Sequence, residues 1–171
     1  MKTRKGRAIA FSTAALGLVV LASAAIALKD RLREEWCIYR LKSGDVHARL
    51  SAIKELEEKR SVRAVPYLIA MLYKEDLQPS DERNTVSMDG RAAVALIRIG
   101  QPAVPLLTEA MHAPGVTSNL LSHAVNIFQE ISGREVINGL KVLAEYPRAE
   151  VRQAAAEALK MIQGNQDEAQ R

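Results

Sequence analysis

Along residues 150–163 the apolar positions Val151, Ala154, Ala155, Ala158, Leu159 and Ile162 fall at offsets 0, 3, 4, 7, 8 and 11. That spacing predicts a helix with one apolar face. Leu120, Ala124, Ile127, Phe128 and Ile131 follow the same template at offsets 0, 4, 7, 8 and 11. Shorter copies occur at Ala52, Ile53 and Leu56 and at Ala95, Leu96 and Ile99. Aligned on the second residue of each apolar pair, the anchors are Ile53, Leu96, Phe128 and Leu159, separated by 43, 32 and 31 residues. A recurrence of this size predicts stacked repeats. The long first step contains residues 75–89, EDLQPSDERNTVSMD, a polar stretch that reads as a loop insertion.

Each of the first three predicted helices is followed by a break and a second apolar run. The breaks are residues 57–61, 100–101 and 132–133, and the runs are residues 62–72, 102–111 and 134–143. Gly100 suits a helix C-terminus, where a left-handed residue is favoured. Pro102 suits the first position of the next helix. Pro105 falls in that helix's opening turn, where amides lack intrahelical partners in any case. Pro66 repeats the device. The prolines therefore predict tight turns within antiparallel helix pairs.

The expected fold is all-α: a short α-solenoid of about three helix pairs and a C-terminal capping helix, preceded by one N-terminal hydrophobic helix. Residues 1–28 are the N-terminal segment, 29–42 an N-terminal capping helix, 43–163 the repeat domain with its 75–89 insertion, and 164–171 a polar tail after Gly164. In the cap, Leu32, Trp36 and Tyr39 lie at offsets 0, 4 and 7 and are expected to pack into the core. An aromatic belt at a membrane surface is the competing role for Trp36 and Tyr39.

The N-terminal segment changes the meaning of the charge. Lys2, Arg4, Lys5 and Arg7 precede residues 8–28, a run of 21 residues without a charge, which makes it a candidate membrane span. Four of the 24 basic residues and none of the 20 acidic ones lie before Lys29, leaving 20 against 20 in the rest of the chain. The basic balance thus belongs to a targeting segment, and no nucleic-acid partner is expected of a neutral folded domain. The basic start orients the N-terminus toward the cytoplasm and the repeats toward the extracytoplasmic side. An uncleaved anchor is expected. The alternative is a signal peptide cut near Ala24 or Ala27, which fit small-x-small sites and would release an exported binding protein.

IGQPAVP at residues 99–105, AVPYL at 64–68 and EVRQAAAEAL at 150–159 resemble HEAT repeats. The form is the short one, about thirty residues long, of the phycobilisome-lyase-type HEAT-like family. The resemblance spans about residues 43–163. The third unit departs from it: Arg134, Glu135, Val136 and Ile137 stand where prolines are the rule, and Ser118, Asn119 and Leu120 lack the acidic-x-basic opening. The resemblance implies a helical stack with a concave surface lined by the second helix of each pair. It also implies an accessory role beside bilin lyases as an alternative; the membrane segment and short chain argue against that, as the neutral domain argues against DNA-lesion recognition.

Little points to chemistry. His47, His112 and His123 share no ligand spacing, and Cys37 is the only cysteine, so neither a thiolate zinc cluster nor an internal disulfide is expected. The acids of the insertion, Glu75, Asp76, Asp81, Glu82 and Asp89, lack the alternation and glycine of a calcium loop. No catalytic residue, metal, cofactor or small-molecule substrate is expected. The expected function is a non-catalytic protein-binding scaffold, membrane-attached through residues 8–28, with another protein as partner. The candidate binding surface comprises Tyr67, Lys74, Thr108, His112, Asn138, Lys141 and Glu145.

Overall fold

The computed structural model describes the backbone of residues 4–73, 87–131 and 133–169, and the side chains of residues 21–73, 87–131, 133–149 and 151–162. Among these the chain is helical and contains no strand. A long first helix, α1 (Arg4–Arg40), leads into α2 (Val46–Glu58) and α3 (Val65–Leu72). Then come α4 (Met88–Ile99), α5 (Val104–His112), α6 (Ser118–Glu130), α7 (Arg134–Ala144) and α8 (Ala149–Ala169).

The alternating helices pack in register. α2 meets α4, α4 meets α6, and α6 meets α8; α3 meets α5, and α5 meets α7. Between these rows, α3 packs on α4, α5 on α6 and α7 on α8. α1 packs on α2. The anchors inferred from periodicity sit where these contacts converge. Ile53, Leu96 and Phe128 are buried, whereas Leu159 is partly buried. Burying such side chains contributes about 1.5–3 kcal/mol each. α8 receives α6 and α7 but no later helix among the described residues, which leaves Leu159 covered on one side.

The turns explain the proline spacing. Gln101–Ala103 forms a 3-10 turn with Pro102 at its start, and α5 then opens with Pro105 in its first positions. Val62–Ala64 is a second 3-10 turn, followed by α3 with Pro66 in its first positions. A 3-10 turn advances three residues per turn, so the two prolines open two successive helical segments. Gly100 adopts φ +79° and its N–H bonds Leu96 O at 3.0 Å, closing α4. Side chains close the N-termini of three other segments. Asp45 accepts from His47 and Ala48 N–H, Ser61 from Ala64, and Thr117 from Leu120.

Three expectations require correction. Leu32, Trp36 and Tyr39 do not enter the core; they are exposed, and Cys37, Ile38 and Leu41 are buried in their place. α1 carries apolar residues on two faces, and the second face is the one packed on the domain. The insertion ends earlier than residue 89: Ser87 caps α4 by accepting from Gly90 N–H, so Met88 and Asp89 are helical. Residues 75–86 of that insertion lie outside the described residues. Gly164 does not stop the last helix, which runs to Ala169. A single glycine costs a helix only about 1 kcal/mol relative to alanine, and no proline follows it.

Within the described residues no helix is long and apolar enough to cross a membrane. Residues 8–20 of the apolar run fall outside those whose side chains are described.

Candidate functional site

The helices α3, α5 and α7 stand side by side, which brings the described residues of the expected surface onto one row. Tyr67 on α3 is partly exposed, and the Lys42 ammonium lies 5.3 Å from its ring centroid. His112 at the end of α5 is exposed; its Nδ1 meets Thr108 O at 2.8 Å, where the carbonyl can only accept, so that nitrogen donates. Asn138, Lys141 and Glu145 are exposed on α7 or at its end. Thr108 is different. Its hydroxyl donates to Val104 O at 2.9 Å, and Oγ1 lies 3.1 Å from where a Cβ on Gly139 would stand. Thr108 therefore belongs to the seam between α5 and α7. Lys74 lies outside the described residues.

Tyr73 ties this row together at the end of α3: its hydroxyl donates to Ala110 O at 3.0 Å. The surface carries both signs of charge, with Lys141 close to Glu145 and Glu109 exposed on α5. Among the described residues it holds no converging nucleophile and base.

A second arrangement, missed by periodicity, fixes α1 to the first pair. Arg33 bonds Glu55 of α2, Arg63 of the first 3-10 turn bonds Glu35, and the Ser61 hydroxyl donates to Glu34. Arg63 also reaches Glu34 at 3.5 Å, and Lys59 reaches Glu55 at 3.6 Å. Cys37 lies beneath this charge clamp at 1% exposure. Burial pushes its thiol pKa up, and the Glu55 carboxylate beside it adds to the rise, so the thiolate is disfavoured. Burial opposes the charge of Glu55 itself. Hydrogen bonds from Arg33 and Cys37 outweigh it and hold the carboxyl below its ordinary value.

A third arrangement joins three helices near the insertion. Asp89 Oδ2 accepts from Asn119 Nδ2 at 3.1 Å and meets His123 Nε2 at 3.2 Å; its Oδ1 accepts from Gly90 N–H at 2.9 Å. Asn119 Nδ2 also donates to Leu72 O at 3.1 Å. Burial would raise the Asp89 pKa. The hydrogen bonds from Ser87, Asn119, His123 and Gly90 overcome that and hold it at about 2. The carboxylate also sits in the first turn of α4, where a negative charge is favoured. These partners use the oxygens of Asp89 internally, so the cluster joins the end of α3 to the starts of α4 and α6. Asn119 and His123 stand four residues apart on α6, but sequence spacing gives no sign that they meet Asp89, which comes from α4.

No group of three or more histidine, cysteine, aspartate or glutamate side chains among the described residues is arranged to hold a metal ion. No protein-family model matches the chain, and no curated protein matches it.

Proposed function

We propose that the chain is a short HEAT-like α-solenoid that binds another protein through the row formed by α3, α5 and α7. In this reading α1 tethers it to a membrane and the repeats face the extracytoplasmic side. The observation that carries the proposal is the order of helix contacts, α2 to α4 to α6 to α8 and α3 to α5 to α7. Successive pairs that bury their faces on neighbours leave one extended row open, the geometry repeat proteins use for binding. The tether is supported by the unbroken course of α1 from Arg4 to Arg40 and by the charge clamp that fixes its end to α2.

The test uses the full chain in its native membrane. A photo-crosslinking residue at Asn138 or Lys141 samples the α7 surface, and one at Lys54 or Arg98 samples the first-helix row. The proposal expects one discrete protein adduct from the first pair of positions, absent from the second and reduced by Lys141→Glu. Equal adducts from both rows, or none from Asn138 and Lys141, would overturn it. A membrane-impermeant maleimide on Lys141→Cys in intact cells tests sidedness; labelling only after lysis would refute the extracytoplasmic placement.

A further inference from the structure

A wide cleft of about 560 Å³ separates α1 from the turn between α2 and α3. Ala27, Asp30, Arg31 and Glu34 line it from α1, and Lys59 and Arg63 line it from the turn. Clefts that hold small ligands measure about 300–1,000 Å³, so this one has room for a ligand. Both signs of charge face it, and several of these groups are already paired. Glu34 accepts from the Ser61 hydroxyl and pairs with Arg63, and Lys59 pairs with Glu55. Asp30 and Arg31 are exposed and have no hydrogen-bond partner among the described residues.

The cleft starts inside the charge-free run and ends beyond it. Ala27 belongs to that run, which stops at Leu28. Glu34 lies about 9 Å past Leu28 along the helix. The polar zone on each side of a bilayer is about 5–8 Å deep. An α1 inserted as far as Leu28 therefore sets the cleft in the headgroup layer, with Lys59 and Arg63 of the domain brought to the same level.

We propose that the cleft holds the headgroup of a membrane phospholipid whose phosphate is linked to a primary amine, the ethanolamine type. Arg31 takes the phosphate, since its planar fork of donors matches phosphate oxygens. Asp30 takes the ammonium. The site rests on the proposed tether, which brings lipid to the cleft. Charge complementarity selects this headgroup. A purely anionic one would set its charge against Asp30 and Glu34 as well as against the bases. A quaternary ammonium has no N–H to donate to the Asp30 carboxylate, whereas a primary one does. The ethanolamine link keeps phosphate and ammonium close together, and Asp30 and Arg31 are neighbours in the chain.

The test is native mass spectrometry of the full chain, released from membranes into micelles with equal amounts of phosphatidylethanolamine, phosphatidylglycerol and phosphatidylcholine. The ethanolamine adduct is expected to exceed each of the others at least five-fold. Arg31→Gln is expected to reduce it at least five-fold. Asp30→Asn is expected to bring it down to the level of the glycerol adduct, and Lys160→Gln on α8 to change nothing. Circular dichroism is expected to be the same for all four chains. Equal adducts of the three lipids, or a preference that survives both Arg31→Gln and Asp30→Asn, overturns the proposal. So does displacement by an equal concentration of glycerophosphoethanolamine or inorganic phosphate, which would make the ligand a soluble one. Alkaline carbonate extraction tests the tether separately. Protein that stays in the membrane without the ethanolamine preference keeps the anchor and loses the site. Protein released by carbonate that shows the preference, and loses it in Arg31→Gln, keeps the site and removes the anchor.

Discussion

A Cβ placed on Gly139 would stand 2.9 Å from Phe128 Cε2, closer than carbon atoms pack. The same Cβ would lie 3.1 Å from Thr108 Oγ1. Gly139 thus sets how closely α7 approaches both α5 and α6. Alanine is the better helix former by about 1 kcal/mol, so an unobstructed site would gain stability on substitution. Phe128 is fully buried and cannot swing away. Gly139→Ala is expected to destabilise by about 1–3 kcal/mol through overpacking, read as a lower melting temperature. Asn138→Ala, one residue away and exposed, is expected to change stability by less than about 0.5 kcal/mol.

Gly100 offers a case without crowding. The nearest atom to a Cβ there is 3.9 Å away, but φ is +79°. With ψ −142° the residue lies outside the left-handed helical well, in a region that glycine alone enters freely, so Gly100→Ala is expected to cost about 1–3 kcal/mol from backbone strain alone. Asparagine is favoured in the left-handed well and not in this one, so Gly100→Asn is expected to lose as much in the same thermal denaturation. A much smaller loss for asparagine would argue against this strain as the cause.

Asp89 links stability to pH. Its folded pKa is about 2, below the ordinary 3.8, so the unfolded chain takes up the proton first as pH falls. Its stabilisation is therefore complete above about pH 5 and is lost as pH drops through the interval from about 4 to 2. The contribution is about 2 kcal/mol. Asp89→Asn keeps an acceptor but loses the charge. Denaturant unfolding between pH 2 and 6 is expected to show this part of the acid dependence in the parent and not in the variant.

The charge clamp holds α1 more by position than by strength. Its ion pairs are at least partly exposed, and solvent screens such pairs so that each adds little stability. Arg63→Ala is expected to leave the melting temperature within about 2 °C. It is also expected to speed hydrogen exchange across residues 31–40. A large fall in melting temperature with unchanged exchange would show that Arg63 supports the domain core instead.

The helices were legible because each buries one face, and a buried face writes its period into the chain. Ile53, Leu96 and Phe128 mark that face, and all three are buried. The orientation of the helix before the repeats was not legible. Its end has apolar residues on two sides, and periodicity cannot say which side meets the domain. The charges that decide it, Arg33, Glu34 and Glu35, read in sequence only as a balanced run. Asp89, Asn119 and His123 were invisible for another reason: polar groups of different helices meet through packing, not through spacing. Of the expected surface, Tyr67, His112, Asn138, Lys141 and Glu145 lie at least partly exposed, while Thr108 lies in a helix seam.

The Asn119 amide donates both to Leu72 O, just before residues 74–86, and to Asp89, just after them. One side chain therefore ties Leu72 and Asp89, on either side of those residues, to the start of α6. Doubling the length of a closed loop adds only about 0.6 kcal/mol of entropy cost. Leu72 and Asp89 are tied to each other through Asn119, so peptide spliced between them is expected to leave the packing of α3, α4 and α6 in place.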